Sequence, residues 1–301
     1  MKLAVICRLA VGVSIALGSV IAVPDVAIAK PDAVTVAKRR INLAGRQQML
    51  TQRIVSASCF ITSDVERSKH IGMLAIAYEQ FSSTHESLIK GNRELGLESE
   101  IHPNIVVALS KADDLWGGLQ PTIVNILNGD IGADGVDLGG MDKTGLELMG
   151  DVDTAARMIT RTYGENLPDL PLILAMTIDL ASRQRVLAQK ATKEYCLIQA
   201  GIEPDANRAN LAKTVNLFNL TLDALIDGYA GVVLGAPNDA IRNKLNEVKE
   251  IWESSNKIFQ AVATGQQVTD RETRIMIGSV EKALKKLNRV VRAYEQVKDA
   301  S

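Results

Sequence analysis

Three histidines and three cysteines in 301 residues leave this chain short of the side chains on which most metal sites and covalent enzymes depend. His70, His85 and His102 have no partner at metal-ligand spacing, and there is no CxxC pair, nucleophile elbow or phosphate-cradling loop. These absences argue against an enzyme, a metal site or a cofactor, and the histidines read as surface residues on helices. Asp130, Asp134 and Asp137 crowd a glycine-rich loop, but Met141 stands where a calcium loop needs glutamate, so a solvated loop is expected.

Charge of one sign is lacking too. With 34 basic and 35 acidic residues, nothing suggests nucleic acid or an anionic membrane as the main partner. Beyond the start of the chain no run is apolar enough to span a bilayer. Within that start, Lys2 and Arg8 precede an apolar run from Leu9 to Val23, and Ala27-Ile28-Ala29 resembles a cleavage site. Residues 1–29 are therefore expected to be a cleaved secretory signal, and the mature protein to be soluble in a bacterial periplasm. An uncleaved anchor is the rival, disfavoured because Pro24 and Asp25 close the run early.

Strand patterns are missing as well, and glycine and proline fall mostly at junctions between stretches rich in Ala, Leu, Ile, Val, Lys, Gln and Glu. What is there is a repeat. Ile41-Asn-Leu-Ala-Gly-Arg-Gln-Gln-Met-Leu-Thr-Gln-Arg53 returns as Ile178-Asp-Leu-Ala-Ser-Arg-Gln-Arg-Val-Leu-Ala-Gln-Lys190. Extended to Ile61 and Ile198, the copies share nine identities in twenty-one positions at an offset of 137. Phe81 with Phe218 and Gly91 with Gly228 keep that offset, and Trp116 with Trp252 shifts it by one. Arg161 and Tyr163 match Arg292 and Tyr294 at 131, so a loop before the last helix is shorter in the second copy.

Helix signals place the first helix from about Asp32 to Thr62, the second up to Lys90, the third from His102-Pro103 to Asn128, and the fourth from near Asp142 to Tyr163. The second copy repeats the order. The expected fold is all-α, two tandem antiparallel four-helix bundles over 30–166 and 167–301, with a short stiff linker around Gly164, Pro168 and Pro171.

The first helix of each copy has two faces. Leu43, Leu50, Ile54, Ala57 and Ile61 form a core stripe at helical spacing. Nearly opposite lie Gly45, Gln48, Gln52, Val55 and Cys59, matched by Ser182, Arg185, Gln189, Thr192 and Cys196. At about 100° per residue, positions eleven apart differ by only about 20°, so each cysteine shares a face with Gln48 or Arg185. Such a stripe is either solvated or a contact face, and the small residues and terminal cysteine favour contact. Cys7 falls within the expected signal, which leaves Cys59 and Cys196, equivalent across the repeat, in an oxidising space. A disulfide between them requires parallel first helices; two buried free thiols are the alternative.

The repeated helix resembles the signature helix of the type IV pilus chemotaxis-transducer N-terminal (PilJ-type) domain, related to the periplasmic sensor of NarX-type nitrate/nitrite kinases. The residues that carry this are Asn42 to Arg53 and Asp179 to Lys190. The resemblance implies that such bundles pair through this helix and hold an anion between its two copies, with an arginine three residues after the small residue. Here those positions are Gln48 and Arg185, so one arginine is kept and one lost. Gly45, Ser182, Gln52 and Gln189 complete the implied site, and the tandem copies would supply both halves of a dimer elsewhere made of two chains.

The implied function is a periplasmic sensing or binding protein for a small anion such as nitrate or nitrite, acting with a membrane-bound sensor or transporter. The alternative is a helical interaction protein that docks on a membrane sensor or pilus component and binds no small molecule. Further homodimerisation of the tandem unit is open under either. Arg185 is the expected main contact, its fork of donors suiting a planar oxyanion; an ordinary interhelical salt bridge is the competing role. Arg46 and Arg183 turn about 200° from the shared face and are expected to meet acidic side chains or solvent.

Overall fold

The computed structural model describes residues 32–130 and 135–297. The expected signal, 1–29, and Asp134 lie outside the described residues. Among the described residues there are eight helices and no strand: α1 Ala33–Thr62, α2 Arg67–Lys90, α3 Pro103–Asn128, α4 Leu138–Asn166, α5 Leu172–Gln199, α6 Pro204–Asp227, α7 Asp239–Ala263 and α8 Asp270–Glu295. Side-chain caps fix several starts by satisfying backbone N–H groups that no helical carbonyl can reach. Asp32 accepts from Thr35 N at 2.9 Å, Asn238 caps α7, and Thr269 with Glu272 forms a capping box on α8. α4 begins earlier than expected because Asp137, not Asp142, is its cap.

The two copies reproduce each other in detail. Gly91 and Gly228 end α2 and α6 at φ 82° and 85°, a conformation that only glycine adopts freely. Glu66 and Glu203 both adopt left-handed backbone before the second helix of their copy. The same turn bond recurs beside them, Val65 N to Phe60 O and Ile202 N to Leu197 O, each 2.9 Å. The chain forms two tandem antiparallel four-helix bundles, α1 to α4 and α5 to α8. Phe81 packs on Trp116 at 4.3 Å in the first, and Phe218 on Trp252 at 3.9 Å in the second.

α1 lies against α5, and the hydrophobic core is continuous across them, from Ala37, Ile41 and Phe60 to Ala181, Leu187 and Tyr195. The expected core stripe, Leu43, Leu50, Ile54, Ala57 and Ile61, is buried throughout. Two histidines depart from expectation. His70 and His85 are buried, because they share the inner face of α2 with Leu74, Ala77, Phe81 and Leu88. His70 stacks on Phe60 at 4.6 Å, and His85 Nε2 meets Asp113 at 3.0 Å. Among the described residues no helix is long and apolar enough to cross a membrane.

Candidate functional site

α1 and α5 run parallel and in register. Gly45 faces Ser182, and fourteen residues on, the disulfide Cys59–Cys196 joins the same helices with its Cα atoms 6.2 Å apart. The polar stripe is therefore a contact face: Gln48, Gln52, Val55 and Cys59 are buried, as are Ser182, Arg185, Gln189, Thr192 and Cys196. A Cβ placed on Gly45 would lie 2.6 Å from Ser182 Cβ, so glycine here sets how closely the two backbones approach.

Arg185 is enclosed at this crossing, with 2 % of its surface exposed. Its Nη1 donates to Asn288 Oδ1 on α8 at 3.0 Å. Its Nη2 donates to Asn42 Oδ1 on α1 at 2.9 Å and to the Asn42 carbonyl at 3.3 Å, and Nε reaches the Ser182 carbonyl at 3.4 Å. Every acceptor is neutral. Burial, and then the Arg46 charge, push the guanidinium down to about 9, against a pull from Glu295, so it stays charged at neutral pH. Asn42 in turn donates from Nδ2 to Glu295 Oε1 at 2.8 Å, leaving one amide between Arg185 and that carboxylate. Glu295 is itself pushed upward by burial, against the Asn42 hydrogen bond and the charges of Arg185, Arg39 and Arg292.

The other expected site residues are spread along the same seam. Gln48, the counterpart of Arg185, has a buried Nε2 with no partner, and Ser182 Oγ and Gln52 Oε1 are likewise unpaired. Buried polar atoms in this state are costly unless a bound molecule satisfies them. Further along, Gln189 turns away from this group, its Nε2 within 3.4 Å of Glu281 Oε1. The structure thus brings Gly45, Ser182, Arg185 and Asn42 together, and places Gln52 and Gln189 nearer the disulfide.

The flanking arginines behave differently from one another. Arg183 binds two carboxylates at 2.8 Å each, Asp179 on its own helix and Asp153 on α4, as an acid-paired arginine should. Arg46 instead donates to the amide oxygen of Gln80 at 2.7 Å. Burial lowers its pKa, and the charges of Arg292 and Arg53 add to that. Asn42, Asn288, Glu295 and Arg292 were not among the expected site residues. Asn42 was accessible in principle: it lies three residues before Gly45 on the same face and differs from its counterpart, Asp179, by a charge.

No curated protein matches the chain. The family profile described as type IV pili methyl-accepting chemotaxis transducer N-terminal (PilJ) matches residues 36–131 and 174–275, one stretch in each repeat and together more than half of the chain. The chain belongs to the PilJ family, in two tandem copies, and so to a class of sensory domains of chemotaxis transducers rather than to an enzyme family.

Proposed function

We propose that the protein is a periplasmic sensing module that binds a small oxyanion, nitrate or nitrite in type, in the α1–α5 seam, and that it relays occupancy to a membrane-bound partner. The observation that carries this is Arg185, a buried cation with no carboxylate in direct contact. Burying a charge without a counter-charge is expensive, and an anion is the guest that relieves it. The neighbouring groups suit that guest. Asn42 and Asn288 can turn their amides over, converting two acceptors into two donors, while Gln48 Nε2 and Ser182 Oγ supply unpaired polar atoms in the seam.

Such a turn also has a route outward. When the Asn42 amide reverses, its oxygen replaces Nδ2 opposite Glu295, and one of the bonds that hold the end of α8 to α1 is lost. A ligand between the first helices would then shift the last helix. The domain organisation proposed with it is a signal over 1–29 and modules over 30–166 and 167–301, the seam doing within one chain what a pair of chains does elsewhere.

A thermal-shift screen of the protein against nitrate, nitrite and other oxyanions, with chloride as control, tests the reading. Binding to the folded state alone adds about 2.7 kcal/mol at a ligand concentration a hundred times Kd, which is readily seen. An oxyanion that raises Tm where chloride does not is the expected result. One observation favours a second reading, a ligand-free helical module that docks on a membrane sensor or pilus component: each guanidinium nitrogen of Arg185 already has an acceptor within the protein. No shift with any oxyanion would leave that reading standing.

A further inference from the structure

The two copies are related by an approximate twofold axis through the α1–α5 seam, and each side of that seam carries a groove. One lies between α4 and α5, about 400 Å³, and is lined by Asp179, Arg183 and Arg161 among others. Its sister lies between α1 and α8, about 930 Å³, and the counterparts of those residues there are Asn42, Arg46 and Arg292. Arg183 and Arg161 keep arginine counterparts, whereas Arg157 is replaced by Asn288 and Asp179 by Asn42. In the α4–α5 groove Asp179 and Asp153 hold Arg183 in two ion pairs at 2.8 Å. In the α1–α8 groove Asn42 stands in place of Asp179, Leu284 stands in place of Asp153, and Arg46 is left on a neutral amide.

The same groove holds three more cations. Lys38 donates to the Val297 carbonyl and Arg39 to the Leu95 carbonyl, both neutral. Arg292 is exposed and has neither a hydrogen bond nor an ion pair among the described residues. Three acids also line the space. Asp32 is engaged as the α1 cap, and Asp169 is exposed. The Asp32 charge still acts on Lys38, and Glu295 stands among the other cations, bonded to Asn42. Four cations without an ion-paired carboxylate thus share a space of the size that small-molecule sites have.

We propose that the α1–α8 groove is a second binding site, for a small organic acid with more than one carboxylate. One ligand carboxylate meets Arg46 and Arg292 from the groove and supplies the negative charge that Asp179 gives Arg183 in the sister groove and that Asn42 cannot give here, since carboxylate is the group the chain itself matches to the equivalent arginine. Lys38 and Arg39 lie about two helical turns away on α1, roughly 11 Å, and draw the remaining negative charge of the ligand. Glu295 opposes it as a like charge. The groove is a separate space from the oxyanion seam, since no hydrogen bond joins Arg46 or Arg292 to Arg185, although their charges act on it.

Calorimetric titration with citrate and with succinate tests it, with nitrate run in parallel. At least one of the two acids is expected to bind, and Arg46→Gln with Arg292→Gln should weaken that binding at least tenfold. Glu295→Gln keeps an acceptor for Asn42 but removes the like charge, so it should tighten binding severalfold, an effect that a merely damaged protein does not produce. Because the Arg292 charge also acts on Arg185, Arg292→Gln should change the nitrate response as well, but by much less than it weakens binding of the organic acid. Failure of both acids to bind at millimolar concentration, or an affinity that ignores the arginine pair and Glu295, overturns the proposal, whatever nitrate does.

Discussion

Gly45 and Ser182 meet where α1 crosses α5, so close that a methyl group on Gly45 would fall 2.6 Å from the serine Cβ. The contact sits one helical turn from Arg185 on α5 and defines the register in which that arginine reaches Asn42.

Gly45→Ala should therefore push the signature helices apart. Overpacking of this kind costs about 1 to 3 kcal/mol. Chemical denaturation should show a lower midpoint, whereas Gly72→Ala, in open space on α2, should be neutral or slightly stabilising.

The disulfide closes a loop of 137 residues. In the chain-entropy account, a loop of that length contributes up to about 5 kcal/mol by restricting the unfolded chain. Cys59→Ser with Cys196→Ser should lower Tm markedly, and reductant should lower the wild-type value to a similar degree. Titration of the unreduced, denatured wild type should find neither thiol free; two free thiols would contradict the bond.

His70 makes stability depend on pH. Burial, and then the Lys69 charge, lower its pKa from 6.5 to about 4. Between those values the unfolded chain binds more protons, so the contribution is complete above pH 6.5 and is lost as pH falls toward about 4. Both ring nitrogens lack partners beside Phe60, so His70→Phe should flatten this part of the profile. Denaturation midpoints measured from pH 7 to 4 give the comparison.

A buried ion pair ties α1 to the segment between α2 and α3. Arg40 and Glu100, both enclosed, meet at 3.0 Å, and Tyr163 and His102 donate to the same carboxylate. Burial pushes Glu100 upward, but the His102 hydrogen bonds and the Arg40 charge outweigh it and hold its pKa below the ordinary carboxylate value. Glu100→Ala should cost about 3 to 5 kcal/mol, because it strands a buried guanidinium. Circular dichroism on heating reads the loss.

Helices, repeat and contact face were legible because periodicity and caps are local. The stripe from Gly45 to Cys59 declared a partner helix, and the offset of 137 identified it as the stripe from Ser182 to Cys196. What stayed hidden depends on partners distant in the chain. Arg185 finds Asn288, 103 residues away on α8, and nothing in the α5 sequence points there. The contrast between Arg46 and Arg183 is only partly local, in Asn42 against Asp179; the rest is set by α4, where Asp153 stands, and by α8, where Leu284 does. His70 and His85 were misplaced because histidine is ambivalent about burial; their spacing with Leu74, Ala77, Phe81 and Leu88 carried the missing signal.

The central claim is that Arg185 holds a small oxyanion between the two signature helices. Calorimetric titration of nitrate into wild type, Arg185→Gln and Gln48→Arg tests it most directly. A charge-assisted bond contributes roughly 1.5 to 3 kcal/mol, which is about a tenfold to hundredfold loss of affinity when Arg185 becomes neutral. Gln48→Arg, which places a second arginine in the seam, should alter affinity or selectivity, with Arg185→Gln still folded and disulfide-bonded. Nitrate bound equally well by wild type and Arg185→Gln would contradict the account.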